Sequence, residues 1–255
     1  MDSERIARQI FTGENSIYNP PTEIYEFNSR KLITAVNTGF KKGLSEVEYM
    51  FGDKKLIANL RQNIYFFSGA KTFQETLLMT KALVKDGVPL QFNEFKKEVE
   101  QINDTFNKTY LKTEYDTTIA SAQCASAWSR FEKEKKTLEL LRYSTIGDAC
   151  PICAPLDGIT APVDSPIWKK VAPVNHFNCL CLLEQHSSED ERPTESDKMK
   201  TTVDSVVEKM DDTFKNNPGI TGQVFTKKHP YFSVPKKYKD LAKRNFNLRV
   251  PKDDN

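Results

Sequence analysis

The sequence predicts an α+β fold that is mainly helical, with a small β-rich unit in the second half of the chain. Three observations carry this expectation. Apolar residues recur at steps of three and four over most of residues 28–137, the period of an amphipathic helix. Near Leu138 the period changes, and Leu141-Arg142-Tyr143-Ser144-Thr145-Ile146 alternates as a half-buried strand does. Four of the five cysteines and one of the three histidines then fall between Cys150 and Cys181, where a shared ion would staple a small unit.

Taken in order, residues 1–27, with Asn19-Pro20-Pro21, are expected to form an extended arm. Asn28 or Ser29 suits the cap of a helix bearing Leu32, Ile33, Val36 and Phe40, because a short side-chain oxygen can accept from first-turn N–H groups. A second helical pattern follows Asp53 through Leu56, Leu60, Ile64 and Phe67. A third runs from about Thr72 through Phe73, Leu77 and Leu83 and stops at Gly87 and Pro89. The longest spans about Asn93 to Lys136, with a break expected at the β-branched Thr113, Thr117 and Thr118, which crowd the preceding turn. Cys124, isolated on that helix, reads as a small buried hydrophobe.

Residues 138–184 form the expected β-rich unit. It holds the strand at 141–146, a hairpin turn at Asp157-Gly158 ahead of Ile159-Thr160-Ala161, and a returning strand within Leu180–Leu183. Trp168 is expected to plug its core. Residues 185–198 read as a solvated linker, with His186 at its surface. Residues 199–255 read as a helix bearing Val203, Val206, Met210 and Phe214, then a basic, aromatic tail in which His229 is structural.

Charge limits the function classes. Thirty-seven basic residues face 35 acidic ones, a formal charge of +2, which argues against a protein built mainly to coat nucleic acid. Basic residues do gather in the tail, where Tyr231, Phe232, Tyr238 and Phe246 are interleaved with them. That segment either touches DNA through phosphates and stacked bases or packs its aromatics on the body or a neighbour, and the second reading is preferred. No run of eighteen apolar residues exists, so no membrane span is expected. The opening Met1-Asp-Ser-Glu-Arg lacks a secretory layout, and the odd cysteine count suits a reducing compartment and a metal.

The candidate metal ligands form two half-sites, Cys150-Pro-Ile-Cys153 and His176-Phe-Asn-Cys179-Leu-Cys181, separated by 22 residues. Thiolates and a neutral imidazole at these spacings can close a tetrahedron around one structural zinc ion. Five candidates compete for four places. The preferred set is Cys150, Cys153, His176 and Cys179, with Cys181 able to replace either member of its half-site. A short disulfide within the cluster is the alternative. Asp148, Asp157 and Asp164 stand nearby and would suit a hydrolase, but turn formation explains them more simply. Gly-x-Ser-x-Gly, a phosphate-cradling loop and His-Glu-x-x-His are all absent, so no catalytic residue and no small-molecule substrate are expected.

Read in order, Asp148-Ala-Cys150-Pro-Ile-Cys153, Leu156-Asp157-Gly158, Pro162-Val-Asp164-Ser-Pro166-Ile-Trp168 and His176-Phe-Asn-Cys179-Leu-Cys181 resemble phage head morphogenesis proteins, the minor capsid proteins similar to protein F of phage Mu. The resemblance extends upstream through Phe66-Phe67-Ser68-Gly69-Ala70-Lys71-Thr72 and Phe95 to Phe131, and downstream to Asn217-Pro218-Gly219 and His229-Pro230-Tyr231-Phe232. It departs at Phe177 and Leu180, where the family commonly has Pro and Arg. It implies a minor head protein of a phage or prophage, found in the virion head and, during assembly, in the bacterial host cytoplasm. Such a protein binds portal protein, capsid or scaffold components, and leaves packaged DNA open as a further contact. A metal-dependent hydrolase or toxin-type transferase carried by a phage particle is the reading from another class.

Overall fold

The computed structural model describes residues 1–42, 53–147 and 149–251. The motif residue Asp148 lies outside the described residues. The chain divides into two units, one of Met1–Ile33, Ile64–Tyr115 and His229–Asp254, the other of Thr34–Asn63 and Asp116–Lys228. The fold is α+β and mainly helical, as the periodicities predict.

In the first unit the expected extended arm is replaced by structure. Helix α1 (Ser3–Phe11) starts at Asp2, whose side chain accepts from Arg5 N at 3.1 Å. Its stripe of Ile6, Ala7 and Ile10 is buried against Phe95 and Val99, and that burial offsets the poor stability of so short a helix. Helix α2 (Thr22–Lys42) begins six residues before Asn28. Asn28 is therefore no cap: it is buried in mid-helix and donates to Ile24 O (3.0 Å) and Asn107 Oδ1 (2.8 Å). The second and third expected helices are one, α3 (Lys54–Lys81), capped by Asp53 accepting from Leu56 N at 2.8 Å.

Helix α3 ends at Lys81, short of the expected stop, because Val84–Lys85 (β1) and Val88–Pro89 (β2) pair as a hairpin. Asp86 (φ 52°) and Gly87 (φ 80°) make its two-residue turn, in which both positions need the left-handed region. Helix α4 (Phe92–Asp104) passes through a π-helical stretch, Thr105–Tyr110, into α5 (Leu111–Glu134). The irregularity thus lies before the threonines, not at them. At the π stretch the Phe106 carbonyl accepts from the buried Lys71 ammonium at 2.7 Å, a partner outside the helix.

Lys71 anchors a buried polar network. It pairs with Glu114 at 2.5 Å, and Glu114 accepts from Tyr231 Oη at 3.0 Å. Glu75 accepts from Asn107 Nδ2 at 2.7 Å through one oxygen, while Oε2 has no partner among the described residues. Burial pushes the Glu75 carboxyl up to about 8 despite the nearby Lys71 charge. The tail closes this unit: Tyr238, Leu241, Phe246 and Leu248 join Tyr25, Ala70 and Phe73 in one apolar cluster. Gly69 is required there, since a Cβ on it would overlap the Asn245 side chain.

The second unit carries a three-stranded antiparallel sheet of β3 (Leu140–Ser144), β4 (Thr160–Pro162) and β5 (Leu182–His186), in the order β4-β3-β5. Leu141 and Tyr143 point inward with Leu156, Ile159, Val163, Trp168 and Val171. Trp168 is fully buried, as expected, and its indole donates to Pro162 O at 2.9 Å. Asp157-Gly158 makes no hairpin between strands. It follows a 3₁₀ turn, Ala154–Leu156, and the Asp157 carboxylate accepts from Thr145 N and Oγ1 at 2.9 and 2.8 Å. The expected linker is partly structured: Gln185 and His186 lie in β5, and Thr194 N donates to Thr160 O at 2.8 Å. Helix α6 (Trp168–Val171) and helix α7 (Ser196–Lys209) complete the layer, the latter burying Val203 and Val206 in the same core.

Candidate metal centre

Two tight turns bring the five ligands together. After β3 the chain folds at Cys150, whose carbonyl accepts from Cys153 N (3.0 Å) and Ala154 N (2.9 Å), and whose sulfur accepts from Cys153 N at 3.4 Å. The intervening Pro151-Ile152 suits such a turn, and it aims both sulfurs one way. The second turn closes with Cys179 N donating to His176 O at 3.3 Å, and Asn178 takes φ 58°, a conformation asparagine tolerates better than most residues.

The ligand atoms form two triads, Cys150 with Cys153 and His176, and Cys153 with Cys179 and Cys181. Within each triad all ligand atoms lie within 4.8 Å of one another, and Cys153 belongs to both. Sulfurs about 2.3 Å from a tetrahedral zinc stand about 3.8 Å apart. The Cys153 and Cys179 sulfurs are 3.9 Å apart, which meets that requirement. Cys150 Sγ and His176 Nε2 are 3.1 Å apart, within contact distance of a common ion. All five cysteines of the chain are free thiols.

The surroundings orient the ligands. His176 Nδ1 lies 2.8 Å from Phe177 O, and since a carbonyl only accepts, Nδ1 carries the proton and Nε2 offers its lone pair toward Cys150. The Tyr143 hydroxyl donates to Cys153 Sγ at 3.4 Å and accepts from Asn175 Nδ2 at 3.0 Å. Cys153 and Cys179 are buried, and Cys150, His176 and Cys181 half-buried. Hydrogen bonds from Cys153 and Cys181 hold the Cys179 thiol far below its usual range, at about 2, and the same contact drives Cys153 upward. Metal binding requires these thiols to release their protons, so occupancy rises with pH. The donor set therefore fits a soft or borderline-soft ion, and its residues can hold one.

Sequence reasoning missed Tyr143 and Asn175. An inward-facing tyrosine two strand positions from a core leucine was the available signal for the first; nothing local marks the second. Cys124 needs correction: it is half-buried rather than sealed in the core. With Cys179, Cys181, Trp128, Phe131 and Leu182 it lines an apolar cavity of about 550 Å³, and burial pushes its thiol up to about 12. His186 lies in β5, half-buried, not on a linker surface, whereas His229 is buried, accepts from Tyr231 N at 3.3 Å and packs edge-on against Phe67. Asp164 is exposed and paired with Lys135 at 2.9 Å. Phe177, at the position where proline was the expected residue, packs edge-on against Phe214 at 4.9 Å.

Fold and ligands together define a class of protein: a mainly helical α+β chain with a small antiparallel sheet and a Cys/His cluster that can hold a metal ion. Comparison with known families finds a likeness over part of the chain. Residues 82–184 match the family described as Phage Mu protein F like protein, a segment that contains all five ligands. The resemblance carried by the motifs is thereby borne out over that segment. No curated protein and no solved structure matches the chain. Among the described residues no helix is long and apolar enough to cross a membrane.

Proposed function

We propose that this chain is a minor head protein of a phage or prophage that works by binding during head morphogenesis, not by turnover. The observation that carries the reading is the match of residues 82–184 to phage Mu F-like proteins, with every ligand of the clasped module inside the matched segment. Portal protein and other capsid or scaffold components are its partners, and the virion head is its destination. The ion is one zinc, held by Cys153 with Cys150, His176 and a thiol of the second half-site, Cys179 or Cys181. Zinc closed by four protein ligands contributes folding energy and leaves no coordination place for a substrate. The β-rich module then acts as a rigid knob whose shape depends on the ion.

Two measurements test this. Mass spectrometry of purified virions and precursor heads should find the chain, and portal protein should co-purify with it from infected cells. Absence from both particles would overturn the reading. Metal analysis of protein purified under reducing conditions should return about one zinc per chain; none would remove the clasp while leaving the head assignment standing.

A further inference from the structure

We infer that residues 236–249 form a basic surface that docks the phosphate backbone of duplex DNA. This stretch holds Lys236, Lys237, Lys239, Lys243, Arg244 and Arg249 against one acid, Asp240, in a chain whose net charge is only +2. All six cations are exposed. Lys243 pairs with Asp240 at 2.8 Å, a fully exposed pair of little strength, and among the described residues no ion pair engages the other five.

The surface is held rigid. Two 3₁₀ turns, Lys236–Tyr238 and Asn245–Asn247, flank helix α9 (Lys239–Lys243), itself preceded by the short helix α8 (Pro218–Thr221) of the other unit. Tyr238, Leu241, Phe246 and Leu248 point the opposite way into the core, with Phe246 stacked on Phe73 at 4.5 Å. Asn245, Phe246 and Asn247 all take positive φ, and Tyr25 Oη donates to Arg249 O at 2.8 Å. The cations are thus displayed from fixed backbone, so docking costs only side-chain ordering.

The buried aromatics also choose the ligand. With Tyr238 and Phe246 turned inward, the stretch itself offers no ring for stacking on single-stranded bases, and the one exposed ring against it, Tyr18, packs edge-on on Tyr238 at 5.9 Å and makes no row of stacking platforms. No large hydrophobic residue of this stretch is exposed, and a single neighbouring Tyr18 makes neither the apolar wedge a membrane surface needs nor the buried anchor cluster of a protein interface. What remains is charge alone, the element that positions proteins on duplex phosphates without reading sequence. The inference rests on the head-protein reading for the identity of the polyanion, since packaged duplex is the phosphate-rich surface inside a head.

The test titrates a short duplex of arbitrary sequence with the full chain over a series of salt concentrations. Replacing Lys236, Lys237, Lys239 and Lys243 by Gln together should lower the slope of log K against log salt by about 3 to 4. A matched control, Lys31, Lys81, Lys97 and Lys112 to Gln, also exposed, should leave the slope unchanged. Equal losses in both variants, no duplex binding by the unaltered chain, or tighter binding to polyglutamate than to duplex would each overturn the inference. Thermal melts verify that both variants fold. A chain found in heads that binds no duplex would sink this inference alone; duplex binding by a chain absent from heads would sink the head-protein reading instead.

Discussion

Two polar clusters lie at the centres of the two units, and they are built on opposite terms. The Cys150–Cys181 cluster is short-range in sequence and made of soft ligands, placed so that they can hold a metal ion. The Lys71–Glu114–Glu75 network joins α3, α5 and, through Tyr231, the tail, and it is completed by protein groups. The first is modular: its turns form locally, and an ion bound there would supply the closing energy. The second is made only when distant segments meet, so its charges are buried at a cost that the fold as a whole must offset.

The sharpest way to break the comparison is at its pivots. Cys153→Ser removes the one ligand common to both triads, so bound metal should fall to near zero and the module should lose cooperative melting. Cys181→Ser should keep most of the metal. Equal metal loss in both variants would show that Cys153 is no pivot. Next in size, Lys71→Met leaves Glu114 and Glu75 without the ammonium and should cost about 3–5 kcal/mol in denaturant unfolding. A cost under about 1 kcal/mol would mean that both carboxyls are already protonated.

Glu75→Gln sharpens the contrast through pH. A carboxyl raised to about 8 in the folded state binds its proton more tightly there than in the unfolded chain. Stability should therefore be highest in acid, fall as pH rises from about 5 to 8, and level off above that. The glutamine variant should lack this fall and be the more stable protein at high pH. Parallel stability curves for the two proteins would refute the assignment. At the small end, Asp164→Ala removes only an exposed pair with Lys135 and should change stability by less than about 0.5 kcal/mol. Head assembly should be unaffected.

The same contrast explains what could be read in advance. The ligand cluster, the strand expected at 141–146 and found at Leu140–Ser144, and the buried Trp168 were legible because each is written in residues close together. Helix α3 was legible only in halves, one pattern ending at Phe67 and the next starting near Thr72; what requires Gly69 between them, close approach by Asn245, lies far along the chain. The N-terminal segment misled because Asn19-Pro20-Pro21 and scattered polar residues suggest extended chain, while Ile6, Ala7 and Ile10 make a stripe of only three residues. That stripe becomes a helix through partners on α4 that no local window contains. Nothing in the local sequence marks Lys71, Glu75 and Glu114 as buried partners, and only their placement in the fold makes them a network.

The bond from Tyr231 to Glu114 has a practical consequence. It makes residues 229–251 a structural stopper: a shortened chain ending near Lys228 would let water reach the ammonium–carboxylate pair and strip the cover from Phe67 and Phe106. Trimming this end should therefore yield an insoluble product, and a protease that clips there would inactivate the helical unit from within.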